Sequence, residues 1–150
     1  MARISYLDSV RLLEELGYIE QGEAPAAPPE RRPQFDDDAR GLEFFRTRVA
    51  DGDFSDVTLP GTYFGRSEIT QCSFRNADLR RSSMCWNDVV DVDFRGACLV
   101  ECDLRASLFE RCDFAGAQMD GAILSSDCSL VLSPSQREVI VWSDEDPPGG

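Results

Sequence analysis

The chain has 150 residues, enough for one domain with a modest core, and 42% of them are hydrophobic. Its formal net charge is −13, from 28 acidic residues and 15 basic ones that are all arginine. This balance argues against direct nucleic-acid binding and against adhesion to an anionic membrane, because both require cationic side chains.

Metal and membrane functions also find no support in the sequence. No segment approaches the roughly 18 consecutive apolar residues of a membrane helix, and Asp8, Glu14 and Glu15 interrupt any signal-peptide core. The six cysteines form no C-x-x-C pair and histidine is absent, so a zinc site is not expected. Free thiols favour a reducing compartment. We therefore expect a cytoplasmic protein without metal or cofactor.

Residues 1–19 are predicted to contain a short amphipathic α-helix over 3–16. Ile4, Leu7, Val10 and Leu13 recur at helical spacing, and Gly17 follows as a C-terminal cap. Two interpretations remain open for its apolar face. It docks on the rest of the chain, or it grips a partner or a second copy, which would give self-association.

Residues 20–41 are predicted to be a linker and lead-in. The stretch 20–34 is rich in proline, alanine and charge, so it buries too little surface to fold alone. The run Asp36–Asp38 lacks the glycine-spaced loop of a calcium site and is expected to be solvated.

Residues 42–126 follow a five-residue period. A large apolar residue occupies every fifth position, and the residue two places before it is mostly small; the apolar set is Phe44, Val49, Phe54, Leu59, Phe64, Ile69, Phe74, Leu79, Met84, Val89, Phe94, Leu99, Leu104, Phe109, Phe114, Met119 and Leu124. This period fits neither a helix nor a flat strand. It predicts a short strand that turns both residues inward, followed by a corner.

A second period of 20 residues predicts four sides per coil. The segments FSDVTL (54–59), FRNADL (74–79), FRGACL (94–99) and FAGAQM (114–119) repeat at that spacing. The structural core is therefore predicted to contain a stacked ladder of Phe54, Phe74, Phe94 and Phe114, with Leu79 and Leu99. Asn87, Gly52 and Leu42 depart from the small inward position and predict local irregularity.

Several pentads, ADLRR (77–81), VDFRG (92–96), CDLRA (102–106) and CDFAG (112–116), resemble the motif of the pentapeptide-repeat family. That motif has a small residue, then Asp or Asn, then Leu or Phe, then two variable residues. The resemblance implies an all-β solenoid, a right-handed quadrilateral β-helix. Over 42–126 it would have about four coils and a height of roughly 20 Å, with the N-terminal α-helix and a C-terminal capping segment at its ends.

Residues 127–150 are predicted to form the C-terminal cap and a disordered tail. Ser133, Pro134 and Gln136 are typical of a helix start, which predicts a helix over 134–141. The β-branched segment REVIVW also fits a strand. Either structure would place Val139, Ile140 and Trp142 over the open coil, and the tail SDEDPPGG is expected to be disordered.

Outward positions of the coil define the candidate protein-binding site. One side is predicted to expose an apolar stripe, and two residues on the adjoining side would widen it; the set is Phe45, Tyr63, Cys85, Trp86, Val90 and Leu108. The stripe is covered by the helix or linker, or it is a protein interface, where aromatic anchors are enriched. Cys85 and Cys98 are the predicted outward thiols.

No catalytic site is expected. Without histidine there is no Ser-His-Asp or Cys-His set, and the carboxylates around Asp93 lie on a convex side. The first hypothesis is thus a non-catalytic protein-binding or scaffold module whose partner is another protein.

Within this class, an adaptor or an immunity protein that neutralises a toxin is one alternative. The resemblance adds another, a DNA mimic that modulates a type II topoisomerase such as gyrase. Residues 42–126 carry 14 acidic and 9 basic residues, a net charge of only −5, which weakens the case for mimicry.

Overall fold

The structure is a computed structural model that describes residues 2–29 and 41–147. It contains two helices and nine short strands, which in chain order are α1 (Tyr6–Glu15), β1 (Glu43–Phe45), β2 (Arg48–Ala50), β3 (Tyr63–Gly65), β4 (Glu68–Thr70), β5 (Ser83–Cys85), β6 (Asp88–Val90), β7 (Leu108–Glu110), β8 (Ile123–Leu124), α2 (Pro134–Val139) and β9 (Val141–Trp142).

The strands pair in parallel with a register of 20 residues, so each coil stacks directly on the next. On the first side, β1, β3 and β5 form a sheet that bridges through Asp103 to β8. On the second side, the order is β2-β4-β6-β7. The third and fourth sides are held by single bridges, from Asp53 to Ser73 and from Thr58 to Asp78, and onward down the coil.

The fold is a right-handed quadrilateral β-helix of about 5 turns. The sequence predicted about four. The difference arises beyond Leu124, where the chain leaves the five-residue register but returns as β9, which pairs with β8. Ile123 is paired with Val141, 18 residues later, so the C-terminal segment completes an irregular extra coil.

Every corner of the regular coil contains one residue with positive φ. Sixteen consecutive corners from 46 to 121 have it, and only four of them are glycine. The others include Arg46 (φ 53°), Gln71 (φ 52°) and Ala106 (φ 60°). Because this conformation is unfavourable for L-residues outside glycine, the stacked coils impose it on the local sequence.

The core is filled by ladders of identical or similar side chains. The rings of Phe54, Phe74, Phe94 and Phe114 stack with centroids 5.2, 5.7 and 4.9 Å apart. Leu79 and Leu99 have no exposed surface on the fourth side. Offset stacking of this kind stabilises a column beyond the area it buries.

Asn87 causes no irregularity, contrary to the sequence prediction. Its Oδ1 accepts a hydrogen bond from the Ser67 amide (3.0 Å), and its Nδ2 donates to the Phe64 carbonyl (2.9 Å). Ser107 Oγ accepts the Asn87 amide in turn (2.9 Å). Small polar residues at this position therefore link three coils through satisfied hydrogen bonds. At Gly52 no space is left empty, because the Phe54 ring lies where a Cβ would be, and Leu42 is simply buried.

Helix α1 docks on the open N-terminal end of its own coil. It begins after Ser5, whose Oγ accepts the Asp8 amide (3.0 Å), and it buries Val10 and Leu13. The Tyr18 ring, just beyond the helix, lies 5.8 Å from that of Phe54. Half of the predicted apolar face, Val10 and Leu13, is thus used within the chain, whereas Ile4 and Leu7 are 38% and 56% exposed.

The described part of the predicted linker also lies against the chain. The Tyr6 hydroxyl donates to the Pro25 carbonyl (2.9 Å), and Pro29 contacts Gly61 closely enough that an added Cβ there would clash. The predicted lead-in with Asp36–Asp38 lies outside the described residues.

The C-terminal cap combines both predicted structures. Ser133 and Gln136 form the expected capping box of α2, the helix ends at Val139, and REVIVW finishes as β9. Only Ile140 of the three predicted capping residues is buried, whereas Val139 and Trp142 are 38% and 37% exposed. The tail was wrongly predicted to be disordered over 143–147, since Pro147 is buried and the Glu145 carbonyl accepts a hydrogen bond.

Candidate protein-binding surface

The corner between the first and second sides carries two of the three aromatic residues of the predicted stripe, Phe45 and Trp86, whereas Tyr63 lies at the start of β3. Four successive coils place Arg46, Arg66, Trp86 and Ala106 at this corner, all with positive φ. Trp86 (φ 64°) is the only aromatic among the positive-φ residues of the described chain. The coil imposes this conformation at every regular corner, and at Trp86 a bulky aromatic side chain bears its cost of about 1 kcal/mol.

Arginine side chains cover the aromatic rings along this corner. The Arg66 guanidinium lies 4.9 Å from the Trp86 ring centre, one coil above it, and that of Arg46 lies 5.3 Å from the Phe45 ring centre. Each such cation–π contact contributes roughly 0.5–1 kcal/mol at an exposed site. The surface is therefore an alternation of aromatic and cationic groups, where the sequence had indicated a purely apolar stripe.

The six predicted site residues differ widely in exposure. Phe45 and Leu108 are 53% and 50% exposed, while Tyr63, Trp86 and Val90 are half-buried. We name as the corner ridge the line of Phe45, Arg66, Trp86 and Leu108, which descends one coil per residue.

Cys85 does not belong to this surface, and the prediction of an outward, accessible thiol was wrong. Its side chain is 1% exposed. Cys85 pairs with Gly65, and the Tyr63 ring lies across Gly65 where any larger residue would clash. Burial, followed by the nearby Asp103 carboxylate, raises the pKa of the Cys85 thiol to about 12, so it is a protonated thiol at neutral pH. Cys98 is also buried, at 8% exposure.

Below Cys85, the first side contains an ion pair that the sequence reasoning missed. The Arg105 guanidinium donates to both carboxylate oxygens of Asp103 at 3.0 and 2.8 Å. The Asp103 side chain has no exposed surface and that of Arg105 is 8% exposed. Residues two apart on an extended segment point to the same face, so the Asp-x-Arg spacing of Asp103 and Arg105 could have predicted that these side chains meet.

The environment keeps this buried carboxylate charged. Burial alone would raise the pKa of Asp103, but hydrogen bonds from the Arg105 side chain and amide outweigh it, so the pKa is lowered. Arg105 also donates to the Glu145 carbonyl (2.9 Å), which fastens the C-terminal tail across the first side. The tail therefore covers the first side at the level of Arg105 and leaves Leu108 exposed.

The remaining charged side contains ion pairs within one coil and between successive coils. On the third side, Arg95 contacts Asp93 of its own coil (2.8 Å) and Asp113 of the next (4.0 Å). Within residues 2–29 and 41–147, no three histidine, cysteine or acidic side chains are grouped as metal ligands. Neither helix in that part of the chain is long and apolar enough to cross a bilayer.

Comparison with known proteins gives the family of the coil. A family model described as pentapeptide repeats matches in 8 copies over residues 53–84 and 90–125. A search of curated proteins finds no match.

Solved structures with similar coils are distant in sequence. Rfr23, a pentapeptide repeat protein from the cyanobacterium Cyanothece, is 16% identical with a TM-score of 0.42, covering 56% of this chain and 64% of that one. The present chain thus spans less than two thirds of it. A pentapeptide repeat protein from the Arabidopsis thaliana thylakoid lumen is 21% identical with a TM-score of 0.39, covering 65% and 69%. HetL from Nostoc is 17% identical with a TM-score of 0.37, covering 59% and 49%. With its repeated pentads, its four-sided coil and the matching family model, this chain belongs to the pentapeptide-repeat family.

Proposed function

We propose that the protein is a non-catalytic protein-binding module and that the corner ridge is its contact surface. The observation that carries this proposal is the state of Trp86. Its backbone is in a conformation that disfavours large side chains. Its Nε1 is shielded from solvent and has no acceptor among the described residues. Both features cost free energy in the isolated chain. An acceptor on a partner would offset the second once the side chains that shield Nε1 have moved aside.

The composition of the ridge fits protein recognition. Tryptophan and arginine are the residues most enriched at energetic centres of interfaces, and here Arg66 holds the Trp86 ring from above. Phe45 and Leu108 add exposed apolar surface on either side. Since the parallel coils are rigid, little conformational entropy is lost on binding.

Charge distribution favours this proposal over DNA mimicry. A mimic needs an unbroken acidic surface, whereas the ridge and its neighbourhood carry the exposed side chains of Arg46, Arg48 and Arg66. An adaptor and a toxin-neutralising immunity protein would both act by binding another protein, so the identity of the partner decides between them.

Quantitative affinity capture from the native host tests the proposal. Full-length protein is compared with Trp86→Ala and with Trp142→Ala. The control is matched, because Trp142 is also partly exposed and also lies under an arginine, Arg137, at 4.8 Å. We expect partners that are retained by the parent and by Trp142→Ala and lost with Trp86→Ala. An identical set of partners for all three proteins would refute the ridge as the interface.

We also propose that the protein works in the cytoplasm. All six cysteines are free, and four of them, Cys72, Cys85, Cys98 and Cys102, are buried, which suits a reducing compartment. Fractionation of the native host with an antibody against the protein checks this, and recovery in an exported fraction would contradict it.

A further inference from the structure

The C-terminal segment closes the lower end of the coil on three of its four sides. On the first side, β9 pairs with β8. On the third side, the Gln136 side chain donates to the Phe114 carbonyl (2.8 Å) and to the Ala117 carbonyl (3.1 Å). At the fourth side, the Gly121 amide donates to the Val139 carbonyl (2.9 Å).

The second side has no such closure in the described chain. Strand β7 is the last in the order β2-β4-β6-β7 and pairs only with β6 above it. In the coil above, the Asp91 amide donates downward to Glu110, and the Asn87 carbonyl accepts from Leu108. The equivalent downward groups of β7 are the Ser107 carbonyl, both backbone groups of Phe109 and the Arg111 amide. Within residues 2–29 and 41–147, no backbone group is paired with them.

Open space adjoins this edge at both of its ends. A cleft of about 510 Å³ lies between residues 104–109 and the segment 124–130, with residues 144–146 on its rim. A second cleft of about 680 Å³ continues from Arg111 along the third side. Phe109 is correspondingly 8% exposed, whereas the equivalent residues above it, Val49, Ile69 and Val89, are exposed by 3% or less.

The charges around the first cleft are mostly negative. Its lining includes the acidic residues Asp127, Asp144, Glu145 and Asp146. Its one cation is Arg105, which Asp103 already neutralises. An extended segment with basic side chains is complementary to this rim, and its backbone is complementary to the free edge.

We propose that β7 is a docking edge for an extended, cationic segment of a partner protein, which adds in parallel or antiparallel as a fifth strand of the second-side sheet. Main-chain hydrogen bonds to Phe109 and Arg111 would supply affinity, and lysine or arginine side chains over the acidic rim would supply selectivity. A second copy of this chain is a poor occupant, because two acidic rims would meet. The inference rests on the proposed binding function and assigns a partner chemistry to the lower end of the corner ridge, beside Leu108.

The test uses full-length protein and a capped seven-residue peptide of alternating lysine and valine. Amide hydrogen exchange, followed by NMR, is measured at Phe109 and Arg111, with Val89 and Asp91 as the paired equivalents one coil above. In the free protein, Phe109 and Arg111 should exchange faster than Val89 and Asp91. Saturating peptide should slow Phe109 and Arg111 by about tenfold, equivalent to ~1.4 kcal/mol.

Matched controls separate strand addition from simple charge attraction. The same peptide with alternate amides N-methylated retains its charge but cannot pair, and it should give no protection. The double variant Asp127→Lys with Asp146→Lys should weaken peptide binding about tenfold. Glu15→Lys with Asp51→Lys makes the same change in net charge on exposed residues at the opposite end of the coil and should weaken it far less.

Three results would overturn the inference: no protection of Phe109 and Arg111, equal binding of the N-methylated peptide, or a dimer of the free protein with β7 protected. If the peptide fails while capture of partners still depends on Trp86, only the strand-addition inference is lost. If Trp86→Ala captures the same partners as the parent while the peptide protects β7, only the proposal that the corner ridge is the interface is refuted.

Discussion

The two ends of the coil are closed by different kinds of interaction. At the N-terminal end, α1 lies across the opening and presents Val10 and Leu13, with Tyr18 following, to the aromatic and aliphatic side chains of the first coil. Its polar contacts lie mostly toward its start. The Thr58 amide donates to Ser9 Oγ (2.8 Å), the Thr58 hydroxyl donates to the Ile4 carbonyl (2.6 Å), and the Ile4 amide donates to the Asp56 carbonyl (2.8 Å). This end is closed mainly by burial of apolar surface.

The C-terminal end combines polar closure with apolar packing, since Cys128, Leu130 and Leu132 pack against the core beside the buried Ile140. Strand β9 and the Gln136 amide satisfy backbone groups of the last regular coil, and Arg105 holds the tail through the Glu145 carbonyl. Of the residues that were predicted to close this end by apolar contact, only Ile140 is buried. The end of a solenoid exposes both its apolar core and unpaired backbone groups. Here the N-terminal end is covered chiefly by apolar side chains, and the C-terminal segment pairs more of the backbone groups.

The largest expected loss of stability comes from Arg105→Leu, which removes a polar contact that holds the C-terminal tail. Removing the guanidinium would leave Asp103 buried and unpaired, and breaking a buried pair in this way costs about 3–5 kcal/mol. Arg95→Leu is the matched control, since Arg95 donates to Asp93 at the same spacing and distance but is 46% exposed. Urea unfolding should show a large loss for Arg105→Leu and a nearly unchanged midpoint for Arg95→Leu.

The stabilities of the parent and of Arg105→Leu should change with pH in opposite directions. In the parent protein the pKa of Asp103 is lowered, so its contribution to stability is present above the unfolded pKa near ~4 and is lost as pH falls below it. Without Arg105, burial raises the pKa, so the variant loses stability as pH rises above ~4. The gap between parent and variant should therefore widen from pH 4 to 7, and a constant gap would contradict a charged, buried Asp103.

Leu13→Ala tests the apolar closure at the other end and should have the next largest effect. Leu13 is 2% exposed against the first coil, and truncating a buried leucine typically costs about 3 kcal/mol. Leu7→Ala, on the same helix but 56% exposed, should stay within about 0.5 kcal/mol of the parent. Equal unfolding midpoints for the two variants would show that α1 does not cap the coil in solution.

Gln136→Ala removes a polar contact at the C-terminal end and should cost about 1–2 kcal/mol. It would leave the carbonyls of Phe114 and Ala117 without their donor. Gln136→Glu keeps the acceptor that the capping box requires but not the donor, so it separates the two roles. Gln118→Ala, at an exposed position, is the control. If Gln136→Glu is as stable as the parent in thermal unfolding, the donated hydrogen bonds do not close the end.

The sequence predicts the inside of this molecule far better than its outside. Inward positions depend only on the five-residue and 20-residue periods, which the chain itself displays, so the ladder from Phe54 to Phe114 follows from the sequence. Outward positions depend on the residue one coil away. Cys85 is buried because Gly65 lets the Tyr63 ring lie flat, and periodicity does not encode that relation.

The sequence predicts the secondary structure of the flanking segments better than it predicts their contacts with the coil. The capping box of α2 was evident from Ser133 and Gln136, whereas the route of the tail past Arg105 was not. A segment rich in acid and proline resembles a disordered tail by composition. Arg105 holds the tail through the Glu145 carbonyl, and the tail in turn covers Arg105. The sequence of either segment alone does not predict a contact that depends on both.

The smallest expected change in stability comes from glycine substitutions within the coil, away from the contacts that close its two ends. Ala106 is an exposed corner residue with φ 60°, so Ala106→Gly relieves an unfavourable backbone conformation and should stabilise the protein by about 0.5 kcal/mol. Ala115, exposed beside a corner but without positive φ, should lose about 0.5 kcal/mol on Ala115→Gly, because glycine there only adds entropy to the unfolded chain. The opposite signs, measured by urea unfolding, would show that the coil imposes left-handed corners independently of how its ends are closed. Destabilisation by both substitutions would mean that Ala106 is not held in that conformation.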